Sequence, residues 1–506
     1  MQNNAKKPTV RVGKGNGCPH YKKCGGCHLQ NMTYPEQLKY KQIKCIKLLG
    51  KFCRVKEIMG MENPTHYRCK VQAAFSKDRT GIISGVYQSS THKIVPIDEC
   101  MIEDSLADAI IVTIRKLLKS FKLKPFDENS MTGFLRHVLV RKGYYTGQVM
   151  VVLVTGSVIF PSSRSFINAL LQRHPEITTI VQNVNDKFTS LVLGEKNITL
   201  YGDGYIEDTI FDCVFRISPK SFYQVNPVMT AKLYGKAIEY MGLSGNETVI
   251  DAYCGTGTIG ILASKNAGKV IGVELNADAV RDAKFNAKRN DIKNARFYTA
   301  DASDFMVEMA AAGEKADVVI MDPPRAGSTE KFINSVVTLS PKRVVYVSCN
   351  PETLARDLKY FIRNGYNVRK IQPVDMFPHT DHVETVVLLS KKVTHKMKLH
   401  PSPFEMIKSG QKTIELRLFD EKRQQINVGD TIFFTNISNG ETLSAKVLNL
   451  HKFNSFDELY KSLPLLKCGY TSENVKNATP SDMEKYYSKD ALEAYGVLGI
   501  ELCLTN

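Results

Sequence analysis

From about residue 216 to Lys392, short runs rich in Val, Ile and Ala alternate with helical stretches, a rhythm that requires strands laid side by side and covered by helices on both faces. Strands are expected at Thr248 to Asp251, Lys269 to Val273, Ala295 to Thr299, Val318 to Met321, Val344 to Val347 and Val383 to Leu389. A helix is expected over Ala277 to Arg289. The order predicts a doubly wound α/β domain on a parallel sheet, ending near Lys392.

At 506 residues the chain exceeds what one core serves, so this domain needs neighbours. From Cys18 to about residue 215, β-like runs such as Lys70 to Phe75, Val138 to Val140 and Gln148 to Val154 are separated by Gly, Asn and Asp turns, with one helical stretch at Ser105 to Phe121. That segment reads as an irregular β-rich domain. Lys391 to Lys398 is a polar, basic bridge, and the residues beyond it carry β runs of their own. The expected division is 1–215, 216–393 and 396–506.

Residues 396–506 carry 14 Lys/Arg and 14 Asp/Glu, so the net charge of +17 arises wholly upstream, from 54 basic against 37 acidic residues. The first fifty residues hold ten Lys/Arg and a single acid, Glu36. Such a distribution fits a polyanion partner, since neutralised phosphates give affinity whatever the sequence. A solvated, solubilising face is the other reading. Met1 to Gly17 is polar and basic and no run is long and apolar enough to span a bilayer, so a cytoplasmic location without a membrane partner is expected. There, the 12 cysteines are expected as free thiols rather than disulfides, most of them plain buried side chains and some at work on metal or as a nucleophile, with Cys45, Cys53, Cys69, Cys213, Cys468 and Cys503 at no ligand spacing.

Val249 to Gly260, Val-Ile-Asp-Ala-Tyr-Cys-Gly-Thr-Gly-Thr-Ile-Gly, is a strand, a glycine turn and a helix start. Gly255, Gly257 and Gly260 let backbone approach a bound nucleotide, and by themselves suit a nicotinamide cofactor equally well. Asp251 before the glycines, and Glu274 ending the next strand where it can accept both hydroxyls of a ribose, shift the expectation to S-adenosylmethionine. A third strand end carries Asp322 in Met-Asp-Pro-Pro-Arg-Ala-Gly. Helix capping by these three acids is the plain alternative. Arg325 stands where amino-group methylases carry an aromatic residue, which points away from chemistry on an exocyclic amine.

Cys349 ends the run Val344-Val-Tyr-Val-Ser-Cys, and Glu384 lies in Asp381-His-Val-Glu beside the next such run. A thiol nucleophile and a carboxylate base at strand ends suit addition chemistry on an aromatic ring. An inert buried thiol is the alternative for a lone cysteine.

Asp322-Pro-Pro-Arg-Ala-Gly327, Tyr346-Val-Ser-Cys-Asn350, Thr353 and His382-Val-Glu384, in this order, resemble the RNA uracil-C5 methyltransferases, which include bacterial transfer-RNA and 23S ribosomal-RNA 5-methyluridine enzymes. The likeness covers residues 18 to about 390. It implies a Rossmann-like methyltransferase domain using S-adenosylmethionine, with Cys349 as nucleophile and Glu384 as base. The chemistry asks for the same pair: C5 of uracil becomes nucleophilic only after a thiolate adds at C6, and the C5 proton must then be removed. The resemblance also places cofactor contacts on Gln224 in Ser218-Pro-Lys-Ser-Phe-Tyr-Gln224, and on Tyr253, Glu274 and Asp322. Phe222 in that run is expected in the core, with stacking on a flipped base as the alternative. A noncatalytic RNA-binding or assembly factor on the same fold is opposed by the joint presence of Cys349, Glu384, Gln224 and Asp322.

Cys18-Pro-His-Tyr-Lys-Lys-Cys24-Gly-Gly-Cys27, with the distant Cys100, offers four thiols that suit zinc, with His20 or His28 as a further ligand, or an iron–sulfur cluster. The resemblance implies a [4Fe–4S] cluster on Cys18, Cys24, Cys27 and Cys100. Because the ribosomal-RNA members carry this set and the transfer-RNA members typically lack it, 23S ribosomal RNA is the expected partner and the transfer-RNA T-loop the alternative. Many relatives place a small RNA-binding β-barrel before the cluster; with seventeen residues ahead of Cys18, that module is expected to be absent. Leu399 to Arg423, followed by Val428-Gly-Asp-Thr-Ile-Phe-Phe, resembles the ASCH domain, a β-barrel related to PUA RNA-binding folds. Lys412 matches a lysine of the amide-hydrolysing ASCH proteins, but Glu415 stands where they carry Thr. A recognition module for RNA or nucleotides is therefore expected, its pocket lined by Lys412, Glu415 and Arg417.

Overall fold

The computed structural model describes residues 17–88, 91, 93–483 and 486–505. They form two compact units, one taking in the chain through Asn364 and Val368–Ser390, the other Gly365–Asn367 and the chain from Lys391 onward.

The first unit holds two seven-stranded sheets. The earlier one runs in the order 94–96, 81–87, 70–78, 135–142, 149–155, 177–184, 196–201. Its neighbours are antiparallel except 149–155 and 177–184, which are parallel because helix Ser163–Arg173 carries the chain back between them. Val149–Thr155 is buried at every position, as a strand covered on both faces must be. Helix Ser105–Ser120 begins at Asp104, whose carboxylate accepts from the Leu106 and Ala107 amides, and buries Ile110, Ile111, Ile114, Leu117 and Leu118 at helical spacing. The segment is β-rich as expected, with helix Tyr34–Leu49 added. That helix escapes an apolar-periodicity reading because its buried positions are Gln37, Lys41, Cys45 and Leu49.

The second sheet runs 295–299, 269–274, 248–252, 318–321, 343–348, 384–391, 366–374. Its first five strands are parallel. The expected all-parallel sheet is corrected at its far end, where 384–391 runs antiparallel to 343–348. The chain lays down the edge strand Tyr366–Val374 first and then turns straight back into the gap beside Arg343–Ser348, and a return without a crossover helix reverses direction. The edge strand itself was not expected, because Arg369, Lys370 and Pro373 interrupt its apolar run, as an edge position tolerates. Helices leaving the strands are capped by Asn276, Asp301, Thr329 and Asn350, each accepting backbone amide hydrogens.

The second unit is a curled five-stranded sheet, ordered 394–399, 431–436, 442–453, 497–504, 414–418. Arg417 on one edge strand donates to the Lys398 carbonyl on the other at 3.0 Å, and Phe404, Ile432, Phe434, Val447 and Ile500 fill the interior. No helix of the described residues is long and apolar enough to cross a membrane.

Candidate active site

The loop after strand Thr248–Ala252 is forced open by its backbone. Tyr253, Gly255 and Gly257 all have positive φ, at 62°, 54° and 78°. At Gly257 a Cβ would stand 2.9 Å from both Ala283 and Phe297, so only glycine lets the loop pack down; at Gly255 the same position opens onto space. Two carboxylates hold this shape. Asp251, 2% exposed, accepts the Gly260 amide at 2.7 Å, and Glu274 accepts Gly255 at 3.1 Å through one oxygen and Asn276 at 2.9 Å through the other. Asp251 thus does serve the first turn of helix Thr258–Ser264, whereas Glu274 braces the loop and the helix that follows it is capped by Asn276; each carboxylate keeps lone pairs for a ligand.

Beside the loop lies a cleft of about 310 Å³. Gln224, Tyr253, Glu274 and Asp322, drawn from four separate stretches of sequence, all line it. Tyr253 is braced by Phe332, ring centroids 4.9 Å apart. Gln224 is set by the turn before helix Pro227–Met241, where the Asn226 side chain caps the helix through Met229 and donates to the Met376 carbonyl at 2.9 Å. Tyr223, Thr230, Tyr234 and Pro324 complete the lining without having been singled out in sequence. Asn226-Pro227 was a readable helix start, but its bond to Met376, 150 residues away, was not.

Phe222 corrects an expectation. It is 71% exposed at the cleft rather than in the core. Ser221 takes the buried place instead, its hydroxyl bonded to Asp282 at 2.8 Å, which turns the next side chain outward.

Cys349 and Glu384 lie at the same end of the antiparallel pair, and the Cys349 thiol feels the charge of Glu384. The register closes with Ser348 opposite Thr385, one residue short of each. Burial first, then the charges of Glu384 and Asp322, push the thiol up to about 11, with Arg325 pulling the other way. Glu384, 5% exposed, is raised to about 8 by burial and by Asp322. Asp322 rises to about 7 by burial. A thiol, a high-pKa carboxyl and a second carboxyl at the cleft wall thus form one electrostatic unit, which a positively charged ligand stabilises in its ionised forms.

The segment leading to Glu384 is clamped by the N-terminal region. Lys41 and Asp375, both with fully buried side chains, pair at 2.5 Å, and the Tyr34 hydroxyl donates to Asp375 at 3.0 Å. Lys41 also donates to the Phe377 carbonyl, Tyr67 to that of Pro378, and the His28 and Leu29 amides to that of His379. His28 faces Asp381 at 3.2 Å.

Cys18, Cys24, Cys27 and Cys100 line one cavity of about 370 Å³ together with Arg68, Glu103 and Tyr87. Burial raises the Cys24 and Cys27 thiols and pushes Cys100 up to about 12. In the second unit Glu415, 3% exposed, lies between Lys412 at 2.9 Å and Arg417 at 3.0 Å, so these three residues pair with one another.

A sheet of this order, with a glycine-rich loop after its central strand and a carboxylate ending the next, defines a doubly wound α/β protein that binds a nucleoside-containing cofactor. The sequence model of the family described as tRNA (uracil-5-)-methyltransferase matches residues 33–392, and that of the ASCH domain matches 397–504. An uncharacterised RNA methyltransferase of Clostridium acetobutylicum is 44% identical over 74% of this chain and 83% of its own length. Another from Bacillus cereus is 42% identical over 74% and 82%. The crystal structure of Pyrococcus abyssi tRNA (uracil-54, C5)-methyltransferase with S-adenosyl-L-homocysteine superposes with a TM-score of 0.62 at 30% identity, covering 72% of this chain and 85% of that one. The chain therefore belongs to the RNA (uracil-5-)-methyltransferase family and ends in an ASCH domain.

Proposed function

We propose that this enzyme makes 5-methyluridine in 23S ribosomal RNA through a covalent bond between Cys349 and C6 of the target uracil. The observation that carries the reading is the antiparallel register, closing with Ser348 opposite Thr385, that leaves the Cys349 thiol within reach of the charge of Glu384, and both within reach of that of Asp322 on the cleft wall. S-adenosylmethionine supplies the methyl group and a sulfonium cation. Gln224, Tyr253, Glu274 and Asp322 hold the cofactor, with Glu274 at the ribose end of the glycine loop. The Cys349 thiolate adds to C6, which makes C5 a nucleophile that takes the methyl group as the S–CH3 bond breaks and the sulfur leaves as the neutral thioether of S-adenosylhomocysteine. Glu384 then takes the C5 proton as a carboxylate, the C5–C6 double bond re-forms, and the thiolate leaves. With both groups raised by burial in the cofactor-free site, bound positive charge near Asp322 favours the two ionised forms the reaction needs.

Cys18, Cys24, Cys27 and Cys100 are assigned to a [4Fe–4S] cluster. The donor set fits: Cys18, Cys24, Cys27 and Cys100 line one cavity and offer the four thiolates that such a cluster takes. The cluster's role is structural, holding the loop whose His28 and Leu29 amides bind His379. Its presence in the ribosomal-RNA members is what favours 23S RNA. A transfer-RNA target is favoured instead by the name of the Pyrococcus abyssi relative. The location assigned to the enzyme is the cytoplasm, and the ASCH unit is assigned to RNA or nucleotide recognition through Lys412, Glu415 and Arg417.

The test is methyl incorporation from labelled S-adenosylmethionine into unmodified 23S RNA and transfer RNA side by side, with Cys349→Ala as control. Label at uridine C5 of a 23S fragment, absent with the variant, is the expected result. Label in transfer RNA alone overturns the substrate but keeps the mechanism; no label in either removes the enzymatic reading. Visible absorbance that bleaches on oxidation is expected of the protein purified without air, and a colourless protein with stoichiometric zinc overturns the cluster assignment.

A further inference from the structure

Two tyrosines stand exposed on a turn that the rest of the molecule holds firmly. Gly143 to Gly147 joins strands Leu135–Lys142 and Val149–Thr155, and at its tip Tyr144 and Tyr145 are 51% and 53% exposed, their rings edge to face at 4.9 Å. Their backbone amides donate to the two oxygens of Asp208, at 3.0 and 2.9 Å. Asp208 is itself fully buried, so this carboxylate has left water in order to shape the turn. The Thr146 hydroxyl donates to the Glu207 carbonyl at 2.6 Å, and the Glu207 amide to Gln148 at 2.8 Å. The turn is thus tied to strand Ile206–Ile210, whose last residue lines the cofactor cleft.

A second tie leads to the same cleft. Arg141, 4% exposed, donates to the carbonyls of Pro219 and Ser221, at 3.2 and 2.7 Å, in the loop that carries Phe222 and Gln224. Exposed rings at Tyr144, Tyr145 and Phe222 are therefore carried by backbone fixed to the edge of one site. Rings left in water on a rigid support are what a partner with flat faces recognises, and every nucleobase has one. The chain contains no Trp, so stacking falls to Tyr and Phe.

We propose that the Tyr144–Tyr145 turn is a stacking platform for the single-stranded nucleotides that flank the target uridine. The inference rests on the uracil-methylation reading above. The basic excess of residues 1–395, and the continuity of the turn with the cleft, single out RNA as the occupant. Because Asp208 binds backbone amides, side chains at 144 and 145 can be replaced without releasing the turn.

The test compares the wild type with Tyr144→Ala/Tyr145→Ala and Tyr144→Phe/Tyr145→Phe, using a short fluorescein-labelled single-stranded RNA with one central uridine. Fluorescence anisotropy gives the RNA Kd, and calorimetry the affinity for S-adenosylhomocysteine. The alanine pair is expected to raise the RNA Kd by roughly tenfold or more, the phenylalanine pair to stay within about twofold of wild type, and neither to change S-adenosylhomocysteine affinity. An unchanged RNA Kd in the alanine pair, while the wild type still methylates RNA, overturns the platform alone. Equal weakening by alanine and phenylalanine assigns the effect to the hydroxyls and also overturns it. A wild type that neither binds nor methylates RNA overturns this inference together with the reading beneath it.

Discussion

Cys349 and Glu384 each sit in an environment that works against their reactive forms. The thiol near 11 and the carboxyl near 8 are both protonated at neutral pH in the cofactor-free site. Removing the base should separate the two halves of the reaction. Glu384→Gln is expected to form the bond to RNA yet slow its release by roughly 10²–10⁴-fold, accumulating a protein–RNA species that survives denaturing electrophoresis; Cys349→Ala should form none. Glu384 also makes stability depend on pH. Its folded carboxyl is raised from the ordinary 4.5 to about 8, so between those values the native state keeps a proton that the unfolded chain has released. Stability from this group is full below that window and is lost as pH rises through it, by up to about 1.4 kcal/mol per pH unit. Glu384→Gln removes the loss, so urea denaturation should show its advantage over wild type growing from about pH 5 to about pH 8. A difference that stays constant with pH would mean that the carboxyl is not held protonated by burial.

At the scale of elements, the central strands that place the site were readable because buried parallel strands are continuous apolar runs: Val318–Met321 falls where the sequence puts it, and the expected Val344 to Val347 lies within Arg343–Ser348. The glycine loop was readable for its own local reason, a backbone that must turn left-handed. What could not be read were alliances over distance. Lys41 and Asp375 are 334 positions apart and neither belongs to a motif, yet together they fix the segment that ends in Glu384. Phe222 was misplaced because an apolar residue says nothing about which of two neighbours a loop turns inward. The buried ion pair gives a prediction at this scale. Lys41→Met alone leaves Asp375 buried and unpaired and should cost about 3–5 kcal/mol in chemical denaturation, while Lys41→Met/Asp375→Leu should recover most of it. Turnover should fall in the single variant more than S-adenosylhomocysteine affinity does, since the cleft is built on other strands; equal losses would contradict the positioning role. Gly257→Ala should weaken S-adenosylhomocysteine binding, measured by calorimetry, and cost on the order of 1–3 kcal/mol of stability, because its Cβ meets Phe297 and Ala283 at 2.9 Å.

Across the whole molecule, charge and architecture divide the labour. The basic excess lies entirely in residues 1–395, while the segment containing the ASCH domain is neutral. RNA affinity should therefore fall steeply with salt, by on the order of 10³-fold between low and moderately high ionic strength if about six phosphates are neutralised; a filter-binding series that is flat in salt would contradict an RNA face built on that charge. The composition foretold this asymmetry, but not that Gln224, Tyr253, Glu274 and Asp322 would share one cleft while Cys349 and Glu384 feel the charge of Asp322 on its wall, because their closeness follows from sheet order. All of these expectations converge on one covalent bond. Its most direct test is mass spectrometry of the Cys349-containing peptide from Glu384→Gln incubated with RNA and S-adenosylmethionine, then digested with protease and nuclease. That peptide is expected to carry a methylated uridine nucleotide, and no such adduct is expected with Cys349→Ala. RNA methylated at uridine C5 by Cys349→Ala, or an adduct on another residue, would contradict the bond to Cys349.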